Sequence, residues 1–89
     1  MPRFIAVHTM PMTEEQWKER MMSGEKPAFP PDVAWKTTYC DFADGKFFCE
    51  WEAPNKEIIE QIFKAQNMPF DAIYPVRLFD FAKMTLEPK

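Results

Sequence analysis

Residues 33–52 constrain this chain more than any other stretch. Two runs rich in β-branched and aromatic residues, 33–41 and 46–52, flank an Asp44-Gly45 pair. Asp-Gly between two such runs is a hairpin signal, because glycine takes the left-handed backbone that a tight turn needs. The chain must therefore fold around two adjacent antiparallel strands. What lies on either side decides which fold class can hold them.

Both flanks carry helix signals. Thr13-Glu14-Glu15-Gln16 is a capping box, with Thr13 as cap and Gln16 reaching back. It predicts a helix to about residue 22, with Trp17 and Met21 along one side and Gly24 as a stop. After the hairpin, Ala53-Pro54-Asn55 opens a second helix with Asn55 as cap. There Ile58, Ile59, Ile62 and Phe63 form one apolar stripe, and Asn67-Met68-Pro69 ends it. Residues 4–10 alternate and read as a first strand; residues 72–79 read as a last one, with Pro75 suiting a sheet edge. Pro27, Pro30 and Pro31 make the link before the hairpin stiff. The order β-α-β-β-α-β predicts an α+β domain of ferredoxin-like plan over residues 1–79. Its four-stranded antiparallel sheet carries two helices on one face, and residues 80–89 form a C-terminal tail.

Length and charge narrow the function classes. Eighty-nine residues make one domain with a modest core, burying only about 60–65 % of the unfolded surface. A net charge of −3 argues against a nucleic-acid partner, which would call for a basic face. No apolar run approaches the roughly 20 residues of a membrane span, and the first residues lack the apolar core of a signal peptide. A cytoplasmic location is the expectation. Cys40 and Cys49 are then free thiols rather than a disulfide.

The hairpin register sets which residues share a face, since a slip of one residue exchanges the two faces. A two-residue turn pairs Cys40 with Cys49, but sets Tyr39 opposite Glu50. A turn closed by Gly45 in a left-handed bulge pairs Tyr39 with Cys49, Thr37 with Trp51, Lys36 with Glu52, Thr38 with Glu50 and Cys40 with Phe48. The second choice separates an aromatic face from a polar one and is the expected register. It separates the two thiols. In the first strand, Ile5 and Val7 are expected beneath the helices, with Phe4, Ala6, His8 and Met10 opposite. His8 then shares the open face with Glu50, Glu52, Lys36 and Cys40.

Three candidate sites follow. His8, the only histidine, with Glu50 and Glu52, forms a nitrogen-and-oxygen set for a divalent metal; its plainer reading is an interface histidine beside a salt-bridged surface. Trp35, Tyr39, Phe47, Cys49 and Trp51 are candidate lining for an apolar small-molecule ligand; their plainer reading is the core. Cys40 has no neighbouring base that marks it as a nucleophile. There is no CxxC pair, no glycine-rich phosphate loop and no Ser-His-Asp set.

Several segments also carry a resemblance. Met1-Pro2-Arg3-Phe4 with Val7-His8, then Gly45-Lys46-x-Phe48-Cys49-x-x-Glu52-Ala53-Pro54, Met68-Pro69 and Ile73-Tyr74-x-Val76 are similar to a family of short bacterial ferredoxin-like proteins of unknown function. One member is described as nickel-binding and dimeric. The likeness spans roughly residues 1–78. The resemblance implies a homodimer and a bound nickel or other divalent ion, in a protein without catalytic residues. The family commonly carries a histidine in the second helix and an Ala-Gly step after it. Here Phe63 and Gln66-Asn67 stand in those places. The alternative reading is a small dimeric enzyme, a cofactor-independent monooxygenase or isomerase, with an aromatic pocket and His8 as base.

Overall fold

A computed structural model describes residues 2–22 and 29–88. The elements are β1 (Arg3–Thr9), α1 (Glu14–Met22), β2 (Ala34–Asp41), β3 (Lys46–Glu52), α2 (Lys56–Ala65), β4 (Ala72–Val76), β5 (Phe79–Asp80) and β6 (Thr85–Leu86). The first four strands form one antiparallel sheet in the order β2-β3-β1-β4. With two helices, this is the expected ferredoxin-like α+β plan. The stop at Gly24 and the link at Pro27 lie outside the described residues.

Local signals account for the helices. Thr13 and Gln16 close the capping box in both directions, at 2.9 and 3.1 Å. Asn55 accepts from the Ile58 amide at 3.1 Å, capping α2. Ile59 and Phe63 of α2 are fully buried, whereas α1 buries no residue completely. It is held by Trp17, which stacks on Phe47 with centroids 4.7 Å apart. Pro75 sits on β4, an edge strand, where a missing amide disturbs least.

The register of the central hairpin corrects the sequence reading. Asp41 pairs with Lys46, Tyr39 with Phe48, Thr38 with Cys49 and Thr37 with Glu50. The loop therefore holds four residues, 42–45. Gly45 is left-handed as expected (φ 67°), but its carbonyl accepts the Met10 amide at 2.8 Å. A side chain there would meet the Met10 carbonyl at 3.2 Å. Docking of Gly45 on the end of β1 sets the loop length. A bulge between Trp35 and Thr37 then leaves Lys36 outside the ladder and opposite no glutamate.

The faces of β1 are also the reverse of the expectation. Phe4, Ala6, His8 and Met10 are buried under the helices; Ile5 and Val7 lie on the open face. Directly paired residues share a face, and β1 pairs Phe4 with Trp51, Ala6 with Cys49 and His8 with Phe47. Burying Phe4 and Met10 removes more apolar area from water than burying Ile5 and Val7, and the small Ala6 admits the facing side chains.

Beyond β4, the segment expected as a tail contains a second, two-stranded sheet, β5-β6.

Candidate functional site

Among the described residues, His8 is the one polar residue in the buried core, with no exposed surface. Strand pairing fixes it opposite Phe47, and the turn after α2 brings the Pro69 carbonyl to 2.7 Å from its Nδ1. A carbonyl oxygen only accepts, so Nδ1 carries the proton and donates. Nε2 is then the lone-pair atom. It is buried and has no hydrogen-bond partner among the described residues. A histidine that ligates a metal is commonly prepared in this way, by one ring N–H held on a backbone carbonyl. Phe63 of α2 stands edge-on to the ring, 4.8 Å away at 82°. Phe63 stands where the resemblance drawn from the sequence implies a histidine. The fold thus sets that helix position against His8.

The other donors near this face are not ready to bind a cation. Cys49 lies on the same face, and burial pushes its thiol up to about 11, only partly offset by the Thr38 hydroxyl at 3.4 Å. It stays protonated near neutrality. Glu50 and Glu52 pair with Ile5 and Arg3, on the opposite face of the sheet from His8. One ion cannot be ligated by His8 and both carboxylates, so the expected three-residue metal set is not brought together. Among the described residues, no group of three or more His, Cys, Asp or Glu is placed to hold a metal ion.

The aromatic set is divided. Phe47, Cys49 and Trp51 are buried under the helices, and the half-buried Trp35 stacks on Trp51 at 5.5 Å. Tyr39 is not among them. The four-residue loop turns it to the open face, opposite Phe48. The four that meet form packed core. His8 has no exposed surface, so the core must open around it before a substrate or an ion reaches it, and the role of general base gains no support from the geometry.

On the open face the carboxylates have another task. Arg3 forms an ion pair with Glu50, lies 3.8 Å from Glu52, and holds Glu87 through two bonds of 2.7 and 2.9 Å. Sequence reasoning missed this cluster. The Arg3–Glu52 part needed only the β1–β3 register, but Glu87 lies 84 residues away in the segment expected as a tail. The Arg3 guanidinium, and next the Leu78 amide, hold the Glu87 carboxyl down at about 2, from an ordinary 4.5. A depressed carboxyl stabilises the fold above its unfolded value and loses that contribution as pH falls through its folded value. The Arg3–Glu87 bond should therefore be complete above about pH 4.5 and fade toward about pH 2. Carboxyl NMR titration of Glu87 checks this; a midpoint near the ordinary value of 4.5 would remove the bond from the account.

A family model described as Nickel responsive protein SCO4226-like matches residues 4–76 of the chain. No curated protein and no solved structure matches it.

Proposed function

Since the chain belongs to this nickel-responsive family, we propose that it is a small non-catalytic protein that takes up a nickel ion through Nε2 of His8. One observation supports the reading above the rest: the imidazole is buried, oriented by the Pro69 carbonyl, and left with an unpartnered lone pair. The fit to a full nickel site is incomplete. With Phe63 in α2, one chain offers a single prepared nitrogen, and the carboxylates stand across the sheet. Affinity should accordingly be weak, because one imidazole is a poor divalent site by itself. The described residues contain no helix long and apolar enough to cross a membrane. Two free thiols, Cys40 and Cys49, support a cytoplasmic setting as part of the same reading.

Calorimetry with nickel on the wild type, on His8→Ala and on Glu50→Gln/Glu52→Gln tests it. Binding should be lost in His8→Ala and kept in the double variant. Binding unaffected by His8→Ala in a folded protein, or abolished by the double variant alone, would overturn it. Circular dichroism of each variant establishes that it is folded.

A further inference from the structure

The two ends of the described chain meet at one corner of the molecule. Pro2 precedes β1, Pro75 and Val76 close β4, and Arg77, Glu87 and Pro88 frame the root of the β5–β6 hairpin. With Arg3 they line an open cleft of about 390 Å³. Small-molecule sites commonly have roughly 300–1,000 Å³.

The walls of this cleft are fixed before any ligand arrives. The Pro2 carbonyl accepts the Ala53 amide at 3.1 Å, and Pro75 pairs with Phe4 across the sheet. The Glu87 amide donates to the Leu78 carbonyl at 2.8 Å, which holds the neighbouring Pro88. Three proline rings and Val76 make the walls apolar and stiff.

The two guanidinium groups of the cleft are used differently. All three nitrogens of Arg3 are engaged: Nη1 with Glu50, and Nε and Nη2 with the two carboxylate oxygens of Glu87 at 2.9 and 2.7 Å. Glu87 Oε1 also accepts the Leu78 amide at 3.2 Å, so this carboxylate is spent. Arg77 is exposed and donates from Nε to the main-chain carbonyl of Glu87 at 3.0 Å. Among the described residues, nothing pairs with its Nη1 and Nη2. Two terminal amino groups on one planar fork match the two oxygens of a carboxylate. Anchoring Nε removes part of the rotamer freedom that an arginine loses when it binds.

We propose that this cleft is a binding site for a small monocarboxylate with an apolar body, its carboxylate held by Arg77 and its body laid against Pro2, Pro75, Val76 and Pro88. Charge selects the monoanion. Glu50, Glu52 and Glu87 crowd the single guanidinium of Arg3 beside the cleft, and the chain carries a net charge of −3. A dianion such as a phosphate monoester meets more repulsion there than a carboxylate does. A neutral ligand forgoes the ion pair with Arg77. The site is separate from His8, which lies five residues along β1 from Arg3, roughly 17 Å at strand spacing, and on the buried face. Arg77, Glu87 and Pro88 also lie beyond the matched residues 4–76. The inference does not rest on nickel binding.

NMR titration of the full chain with benzoate tests it, read on the Arg77 Nε–H and on the amides of Val76 and Arg77. Benzoate should bind with a dissociation constant on the order of 1 mM, in keeping with so small a ligand. Benzamide has the same shape without the charge and should bind at least about tenfold more weakly. Phenyl phosphate should bind no more tightly than benzoate. Arg77→Gln should weaken benzoate at least about tenfold. Pro88→Gly leaves both cations in place and should weaken it about threefold through lost apolar contact. In both variants the Glu87 carboxyl should keep its depressed midpoint, which reports an intact hairpin root. No shift of these resonances at about 20 mM benzoate would overturn the site. Equal binding of benzamide, or unchanged affinity in either variant, would overturn it as well. Tighter binding of phenyl phosphate would overturn the choice of a monocarboxylate.

Discussion

Phe63→His should raise the affinity for nickel at least about tenfold, which corresponds to about 1.4 kcal/mol. The Phe63 ring already stands 4.8 Å from the His8 ring, on the rigid stem of α2. An imidazole there brings a second nitrogen beside the His8 ring, and two nitrogen ligands hold a first-row ion far better than one. The substitution also replaces an apolar ring with a polar one that touches Trp51 and Phe70. The metal-free variant should be less stable by about 1–3 kcal/mol, the cost of an unsatisfied buried polar group. Nickel at a hundredfold excess over its dissociation constant should return about 2.7 kcal/mol of this, because the ion binds the folded state only. Calorimetry gives the affinity and thermal melts with and without nickel give the linkage. Adding His8→Ala to the variant should abolish the gain. An affinity equal to that of the wild type, or a gain that survives the loss of His8, would show that the site is elsewhere.

Trp51→Ala should cost about 3–5 kcal/mol of stability. Trp51 is almost wholly buried at the centre of the aromatic core. It stacks on Trp35 at 5.5 Å and meets Phe29 and Phe63 edge-on at 5.3 and 5.5 Å. Removing it leaves a cavity between sheet and helices that three large rings cannot fill. A domain of this size has on the order of 5–13 kcal/mol to lose, so the variant should be near the margin of folding. Trp51→Phe should behave very differently. The indole Nε1 is buried without a hydrogen-bond partner among the described residues. Exchange for phenylalanine removes that unmet donor, worth about 1–3 kcal/mol, and offsets much of the lost area. Urea denaturation of both variants measures the pair. A loss below about 1.5 kcal/mol for alanine would mean that the ring is not the centre of the core.

Both predictions depend on features that were readable to different degrees. Phe63 was identifiable from the apolar stripe of α2 as an inward residue, and the family resemblance marked its position. Nothing in the sequence set it against His8. That contact needs the face of β1, and β1 alternates between two apolar sets. Phe4, Ala6 and Met10 compete with Ile5 and Val7, and a period of two does not say which set faces the helices. The Pro69 carbonyl that orients His8 was invisible for a different reason: a backbone acceptor leaves no trace in residue type.

The chain by itself determined what depends on near neighbours. The strand and helix order, the Thr13–Gln16 capping box, the Asn55 cap and the left-handed Gly45 were all legible, because each arises from residues within a few positions of one another. Tertiary structure decided what depends on distant partners. The loop became four residues long because Gly45 seats on Met10, and this moved Tyr39 to the open face. Cross-strand pairing put His8 under the helices and Glu50 and Glu52 across the sheet. Arg3 found Glu87 across nearly the whole chain, and residues 79–86 folded into a second hairpin. Alternation names two faces of a strand but not which is buried; only packing against the rest of the molecule makes one choice lower in free energy.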